Sequence, residues 1–434
     1  MKKIFVSVLI GLMFASGSLA AQEAMKTIPA KPAEQVTVNN WTTQPYNKWS
    51  FRNVGINPSV MVPRSGNILP LAENFNKSIA DFKFKYQGKT HTVKSAMLGD
   101  DTDGYIVLKD GIIVYEEYIG RFEKYDHHMW ASSTKSLIGM AMGILVSQGK
   151  VKLDAKTETY ISELKDTHFG QRSVREVLNM VSALDYSEDY ENFTPGSVST
   201  EYFRRLGFIP AFDLMALDPT KNGTPRGMVG IMPLMKQNPS LKPSVRFEYH
   251  SPNADVAGWI IARVSGKPLN KFIAENFWSK MGAGNDAFFM ADVSFNPIAT
   301  GGFNTTLRDF ARVGLLMLND GNYNGQQIVP TDWIKDTFAI TDEERAHTKR
   351  SSYKDTKSAV YDEWLEGYKN YLWVHDSKKG IATFRGVFGQ HLYINKDKNV
   401  VIATFSSAAS ASNSTREANK PRLAAFDAIS NQLK

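Results

Sequence analysis

A serine followed three residues later by a lysine, at Ser132 and Lys135, is the pairing in this chain best suited to chemistry. At about one helical turn the two side chains share a face, so the amine can reach the hydroxyl and remove its proton. The spacing alone is common, recurring at Ser147/Lys150, Ser162/Lys165 and Ser351/Lys354. Context separates them. Ser132 stands where the polar stretch His127-His128-Met129-Trp130-Ala131 meets a strongly apolar segment, beside the free N–H donors and positive end of a helix. Behind it Leu137, Met140, Ile144 and Leu145 recur at three- and four-residue steps, and burial among them would lower a lysine pKa toward neutrality. Ser147 adjoins the helix-ending Gly149, and Ser162 and Ser351 lie in polar stretches. The competing reading is a helix-capping serine with a lysine that snorkels to solvent.

Other chemistries find no motif. The chain has no Gly-x-Ser-x-Gly elbow, no His-Glu-x-x-His, no phosphate loop and no Gly-x-Gly-x-x-Gly. The only adjacent histidines, His127 and His128, point apart, so neither a metal nor a cofactor is expected. The acidic stretch Tyr186-Ser187-Glu188-Asp189 reads as a solvated loop in preference to an acid/base pair.

The elements that must position the pair follow from patterning. Tyr105–Leu108 and Ile112–Tyr115 flank an Asp110-Gly111 turn and predict a hairpin. A helix is predicted from Ser132 to about Gln148, another from Thr306 through Met317, and a last one from about Ser414 to Leu433. Leu392–Ile394 and Val400–Ala403 predict a second hairpin around the turn at 395–398. Strands from both ends of the chain, with helices between, predict an α/β (α+β) fold: one antiparallel sheet flanked by helices and carrying a mostly helical insertion. Residues 101–169 and 296–434 are assigned to the sheet domain and 170–295 to the helical domain. Within the latter, the Gly- and Pro-rich stretch from Pro195 to Pro243 reads as a lid. Residues 21–100 are assigned to an N-terminal extension, of which 21 to about 70, with scattered Pro, Asn and Gln, reads as irregular.

Composition narrows the class. With 434 residues, 42% hydrophobic and 22% charged, the chain can bury a core and is neither disordered nor fibrous. Residues 1–20 read as a signal peptide, with Lys2-Lys3, an apolar run from Ile4 to Phe14, and Ser18-Leu19-Ala20 before a cleavage site at Ala21. No later apolar run could span a bilayer, so no integral membrane segment is expected after cleavage. The 51 basic and 44 acidic residues, two of the former in that signal, are too balanced for nucleic-acid binding. With no Cys there is no disulfide, and export points to a bacterial periplasmic or secreted protein held together by packing.

Ala131-Ser132-Ser133-Thr134-Lys135-Ser136, followed by an apolar helix and Gly149-Lys150-Val151-Lys152-Leu153-Asp154, resembles the first motif of the serine β-lactamase and penicillin-binding protein superfamily. Val174–Ser182 and Leu184–Tyr190 look like the branch of 6-aminohexanoate-dimer hydrolases and related esterases. Tyr-x-Asn or Tyr-x-Ser, the superfamily's second motif, occurs at several places. Only Phe247-Glu248-Tyr249-His250-Ser251-Pro252-Asn253 precedes an apolar helix ending at Gly266, as in the family. The resemblance implies that Tyr249 is a general acid/base acting with Lys135, and that Ser251 and Gly386 meet substrate. It implies that the backbone N–H groups of Ser132 and Val387 form the oxyanion hole. Thr300–Arg312 also matches the branch and reads as architecture. Two departures stand out. The third motif, which usually begins with a cation, here begins with Phe384, and Arg385 lies on the opposite side of a strand. Pro243-Ser244 replaces the usual Pro-Gly before the second motif. The expectation is an exported serine hydrolase of a small-molecule ester or linear amide, with poor β-lactam turnover. A β-lactamase or D,D-peptidase-like enzyme on cell-wall peptides, or a non-catalytic binding protein of the same fold, is the alternative. Neither ester-against-amide preference nor oligomeric state is legible.

Overall fold

The structure is a computed structural model that describes residues 23–190, 193–209, 226–351, 365–412 and 419–433. The signal-peptide reading at 1–20 lies outside these residues. The main sheet has seven antiparallel strands: β1 (Thr102–Lys109), β2 (Ile112–Tyr118), β3 (Gly367–Lys369), β4 (Leu372–Asp376), β5 (Ile381–Gly386), β6 (Gln390–Asn395) and β7 (Val400–Ser406). Their spatial order is β3-β4-β5-β6-β7-β1-β2, so the chain's two ends meet where β7 pairs β1, with Ala403 opposite Ile106. The β1–β2 turn uses Asp110 and Gly111, both at positive φ, as an Asp-Gly hairpin requires. In the β6–β7 turn the Asn395 side chain accepts from the Lys398 N–H at 3.0 Å.

Alternation along these strands separates two apolar faces. Tyr105, Val107, Tyr393, Val400 and Ile402 pack with helix residues Leu423, Phe426 and Ile429 on one side. Ile106, Leu392, Val401 and Ala403 belong to the larger core on the other. The helices that matter for the site are α1 (Thr134–Ser147), α2 (Val198–Leu206), α3 (Pro252–Ser265), α4 (Leu307–Leu318) and α5 (Asn419–Gln432). Of these, α1 is buried from Thr134 to Leu145, on every side, because its residues are almost all apolar or small. Its Gly139 and Gly143 permit this: a Cβ at 139 would lie 2.2 Å from the Asn370 carbonyl oxygen, and one at 143 would lie 2.3 Å from the Trp333 ring.

Two expectations need correction. The stretch from 21 to about 70 is not irregular throughout, since Ser59–Val62 pairs antiparallel with Ala287–Met290. Beyond it Lys83–Tyr86 pairs with Lys89–Thr92, and Val93–Leu98 is helical. Strands of four residues give too few alternations to register as a pattern. Among the described residues the insertion carries helices at Val174–Leu178, Val198–Leu206, Pro252–Ser265 and Leu269–Asn276, joined in part by single 3₁₀ turns. Finally, Ser132 lies in a single 3₁₀ turn, Ala131–Ser133, which precedes α1. A second small sheet, in the order Ser59–Val62, Ala287–Met290, Phe303–Thr305, His128–Met129, ends on the strand that leads into that turn.

Candidate active site

The turn that carries Ser132 is held from several directions. Ala131 has φ +47°, a left-handed conformation that an alanine adopts only under constraint. Trp130 supplies part of that constraint. It is fully buried, its N–H bonds the Phe303 carbonyl at 2.8 Å, and its indole donates to Thr305 Oγ1 at 2.7 Å. From the sheet side β5 presses against the same turn. A Cβ on Gly386 would stand 2.3 Å from the Trp130 carbonyl oxygen and 3.0 Å from the Ala131 Cβ. Gly386 has an ordinary φ of −128°, so close approach, and not backbone freedom, requires glycine there.

Lys135, on the first turn of α1, has its Nζ 2.8 Å from Ser132 Oγ and 2.7 Å from the Thr300 carbonyl oxygen. Burial pulls its ammonium down to about 8, against the opposing pull of Glu188 and Asp255. About a tenth of the amine is therefore neutral at pH 7. Tyr249 is buried next to it. The lysine Nζ lies 5.0 Å from the tyrosine ring centroid, the ring stacks on Trp373 with centroids 5.4 Å apart, and the phenol hydrogen-bonds Ser132. Burial and the charge of Glu188 push this phenol well above its ordinary range, so it carries its proton at neutral pH.

The surrounding charges were not legible as a site. Glu188 is no solvated loop residue: its carboxylate turns inward, accepts the Ser251 N–H at 2.8 Å, and accepts the Ser251 and Tyr190 hydroxyls. Burial raises its carboxyl above the usual range, opposed first by Lys135. Asp255, on α3, accepts the Thr300 N–H at 2.9 Å and the Tyr202 hydroxyl, and burial raises it to about 7. Thr300, within a stretch read as architecture, thus links Asp255 to Lys135. Since its carbonyl makes the contact to Lys135, no side-chain type could have signalled it. For Glu188 and Asp255 the only available signal was an acidic residue near each motif, and such residues are usually solvated.

Ser132, Ser251 and Val387 line one cavity together with Thr300, Gly301 and Tyr190. Val387 begins a short 3₁₀ turn between β5 and β6. Phe388 in that turn has φ +62° and is pinned by its N–H to Ala411 O, at 3.0 Å, and by its carbonyl accepting from Ala408 N, at 3.2 Å. At the third motif Phe384 is fully buried in the core. Arg385 lies over Trp373, 5.3 Å from the ring, with its Nε donating to Thr383 Oγ1 at 3.0 Å, and is not part of the cavity wall. Ser244, where the family's glycine would stand, adopts φ +58° and keeps the turn by donating to Glu176 at 2.8 Å.

The arrangement matches known proteins over most of the chain. Residues 101–426 match the family model described as Beta-lactamase. The 6-aminohexanoate-dimer hydrolase of Paenarthrobacter ureafaciens is 26% identical over 381 residues, 87% of this chain and 90% of that protein. A Bacillus anthracis structure provisionally described as a 6-aminohexanoate-dimer hydrolase superposes with a TM-score of 0.77 at 25% identity, covering 91% of this chain and 97% of the other. A family VIII carboxylesterase shares the fold, with a TM-score of 0.53 at 14% identity over 79% of this chain and 96% of its own. Among the described residues no helix is long and apolar enough to cross a membrane.

Proposed function

The chain belongs to the Beta-lactamase family, and from that premise we propose that it is an exported serine hydrolase that cleaves a carboxylic ester or a linear amide through an acyl-enzyme on Ser132. The observation that carries the reading is the buried Lys135 amine, 2.8 Å from Ser132 Oγ and lowered to about 8. Lys135 takes the hydroxyl proton as Ser132 Oγ attacks the carbonyl carbon, and the N–H groups of Ser132 and Val387 receive the developing oxyanion. Tyr249, a phenol that holds its proton, gives it to the leaving alkoxide or amine and recovers one from the Lys135 ammonium. Water then attacks the acyl carbonyl, with Lys135 again as base, and frees the carboxylic acid. Glu188 and Asp255 hold part of the lysine's positive charge once it is protonated.

The linear-amide side of the reading is supported by the curated relative, whose name describes hydrolysis of a 6-aminohexanoate dimer, and the ester side by the carboxylesterase of the same fold. Phe384 at the third-motif position supports weak handling of β-lactams, since no cation occupies the place that would hold the substrate carboxylate. Ser251 is proposed to meet substrate, as it lines the same cavity as Ser132. The N-terminal Lys2-Lys3 and apolar run support export, which the mass of the mature N-terminus in a periplasmic fraction would test.

Intact mass after treatment with a fluorophosphonate tests the reading. One adduct on the wild-type protein and none on Ser132→Ala is the expected result, with nitrocefin turnover near background. A folded wild type that takes no adduct would overturn the catalytic reading in favour of a binding protein. Rapid nitrocefin turnover would move the substrate to β-lactams.

A further inference from the structure

The cavity beside Ser132 has a volume of about 110 Å³. Its wall is dominated by Trp41, Phe203, Phe208 and Phe388, and among the described residues no charged side chain lines it. Trp41 comes from a segment that precedes the family-matched region, 101–426, by about sixty residues. That segment is fastened across the site. The Asn47 side chain donates to the Ala408 carbonyl at 2.9 Å, Gln44 donates to the Ser407 carbonyl at 3.0 Å, and the Met129 N–H bonds the Phe51 carbonyl at 3.0 Å. Rings then run in contact from the end of α2 to the turn that holds Val387. Phe208 and Trp41 have centroids 6.0 Å apart, Trp41 and Phe51 6.0 Å, and Phe51 and Phe388 5.0 Å.

The position of this pocket relative to the reacting groups assigns its occupant. The inference rests on the reading of Ser132 as the acylated nucleophile. Tyr249, the proton donor, must face the leaving group, yet it is not part of this wall, whereas Ser132 and Val387 are. The pocket is therefore on the acyl side. An apolar cavity of about 150 Å³ accepts a benzene molecule, so the volume here suits a chain or ring of about four to six carbons. An ammonium placed among these rings would lose its hydration, with no carboxylate among the described wall residues to replace it. Glu188 already accepts the Ser251 N–H and the Ser251 and Tyr190 hydroxyls.

We propose that Trp41 is a specificity-determining residue of this enzyme, and that with its aromatic neighbours it selects substrates with an uncharged, apolar acyl group of about four to six carbons. The cavity therefore favours an acyl group unlike the amine-bearing chain of a 6-aminohexanoate dimer.

The test compares kcat/KM for p-nitrophenyl acetate, hexanoate and 6-aminohexanoate, corrected for spontaneous hydrolysis, in wild type, Trp41→Ala, Trp41→Leu and Trp41→Phe. Near-ultraviolet circular dichroism checks each fold, and Trp41→Leu carries the comparison where the alanine variant does not fold. Wild type is expected to prefer hexanoate over 6-aminohexanoate by roughly a hundredfold or more, the scale set by burying an unpaired charge. Trp41→Ala or Leu is expected to cut the hexanoate-to-acetate ratio by roughly tenfold, the scale of lost pocket contacts, and Trp41→Phe by less. A ratio that stays constant in a folded Trp41→Ala or Leu protein would overturn the role of Trp41. Equal turnover of the charged and uncharged six-carbon esters would overturn the substrate class. Both of those failures leave fluorophosphonate labelling of Ser132 intact. Loss of labelling in wild type would instead remove the catalytic reading beneath the proposal.

Discussion

The lysine amine is the residue on which this site's chemistry turns. An amine lowered to about 8 by burial is a base only in its neutral form, so kcat/KM for an uncharged ester should rise about tenfold per pH unit below that value and level off above it. The same depression costs stability. The folded chain holds its proton less tightly than the unfolded one, so this contribution falls as pH drops from the unfolded lysine range to about 8 and is constant below. Glu188 pulls in the opposite direction by favouring the charged amine. Removing that charge in Glu188→Gln should therefore move the alkaline-rising limb of the rate profile to lower pH. A stopped-flow pH profile of both proteins checks this, and a limb that stays in place would mean that the carboxylate is protonated or screened in the working enzyme.

At the scale of elements, α1 is the part with no slack. An ordinary helix interior gains about 1 kcal/mol from Gly→Ala, since glycine loses more freedom on folding. At Gly139 the new methyl would stand 2.2 Å from the Asn370 carbonyl oxygen, a backbone atom in a turn where Asn370 and Tyr371 already have positive φ. The same turn is held by Asn370 donating to Thr337 Oγ1 at 2.9 Å and by Tyr371 O accepting from Ser136 at 2.7 Å. Gly139→Ala should thus destabilise the fold by about 1–3 kcal/mol, the cost of overpacking, in place of the usual gain. Equilibrium denaturant unfolding measures the difference. A more stable variant would show that the turn yields, and with it that α1 and Lys135 are less firmly seated than the packing implies.

For the molecule as a whole, the last helix is fastened to the start of the main sheet by a buried pair. Arg422, with no exposed surface, lies 2.5 Å from Asp100 and donates to Ser406 Oγ at 2.6 Å and Asn419 Oδ1 at 2.8 Å. A Cβ on Gly389, at the end of the turn that carries Val387, would lie 2.6 Å from the same guanidinium. The last helix, the paired ends of β1 and β7, and the candidate oxyanion turn thus share one contact. Truncating Arg422 to alanine leaves Asp100 buried without its cation and should cost about 3–5 kcal/mol. The double variant Arg422→Met/Asp100→Leu should recover much of that loss in the same melts, because the penalty arises from the orphaned charge. A full loss in both would assign the stability to the hydrogen bonds with Ser406 and Asn419.

Local chemistry made the main sheet and the first motif readable. Asp110-Gly111 dictates a hairpin, alternating β-branched runs dictate strands, and a serine one turn ahead of a lysine on an apolar helix dictates a shared face. Those signals lie within a few residues of one another, so the sequence by itself determined the α/β class, the antiparallel sheet built from both chain ends, and the Ser132/Lys135 candidate. What it could not contain are contacts between segments far apart along the chain. Glu188 looks solvated until the fold turns it onto Ser251. The Thr300 carbonyl has no side-chain signature, though it lies 2.7 Å from Lys135. Trp41 lies in a stretch with no periodicity, yet it walls the cavity. Gly386 is marked in its motif only as a substrate contact, and the fold adds that its missing side chain admits the Trp130 carbonyl. Each of these is decided by desolvation and close packing, which exist only once distant segments exclude water from between them.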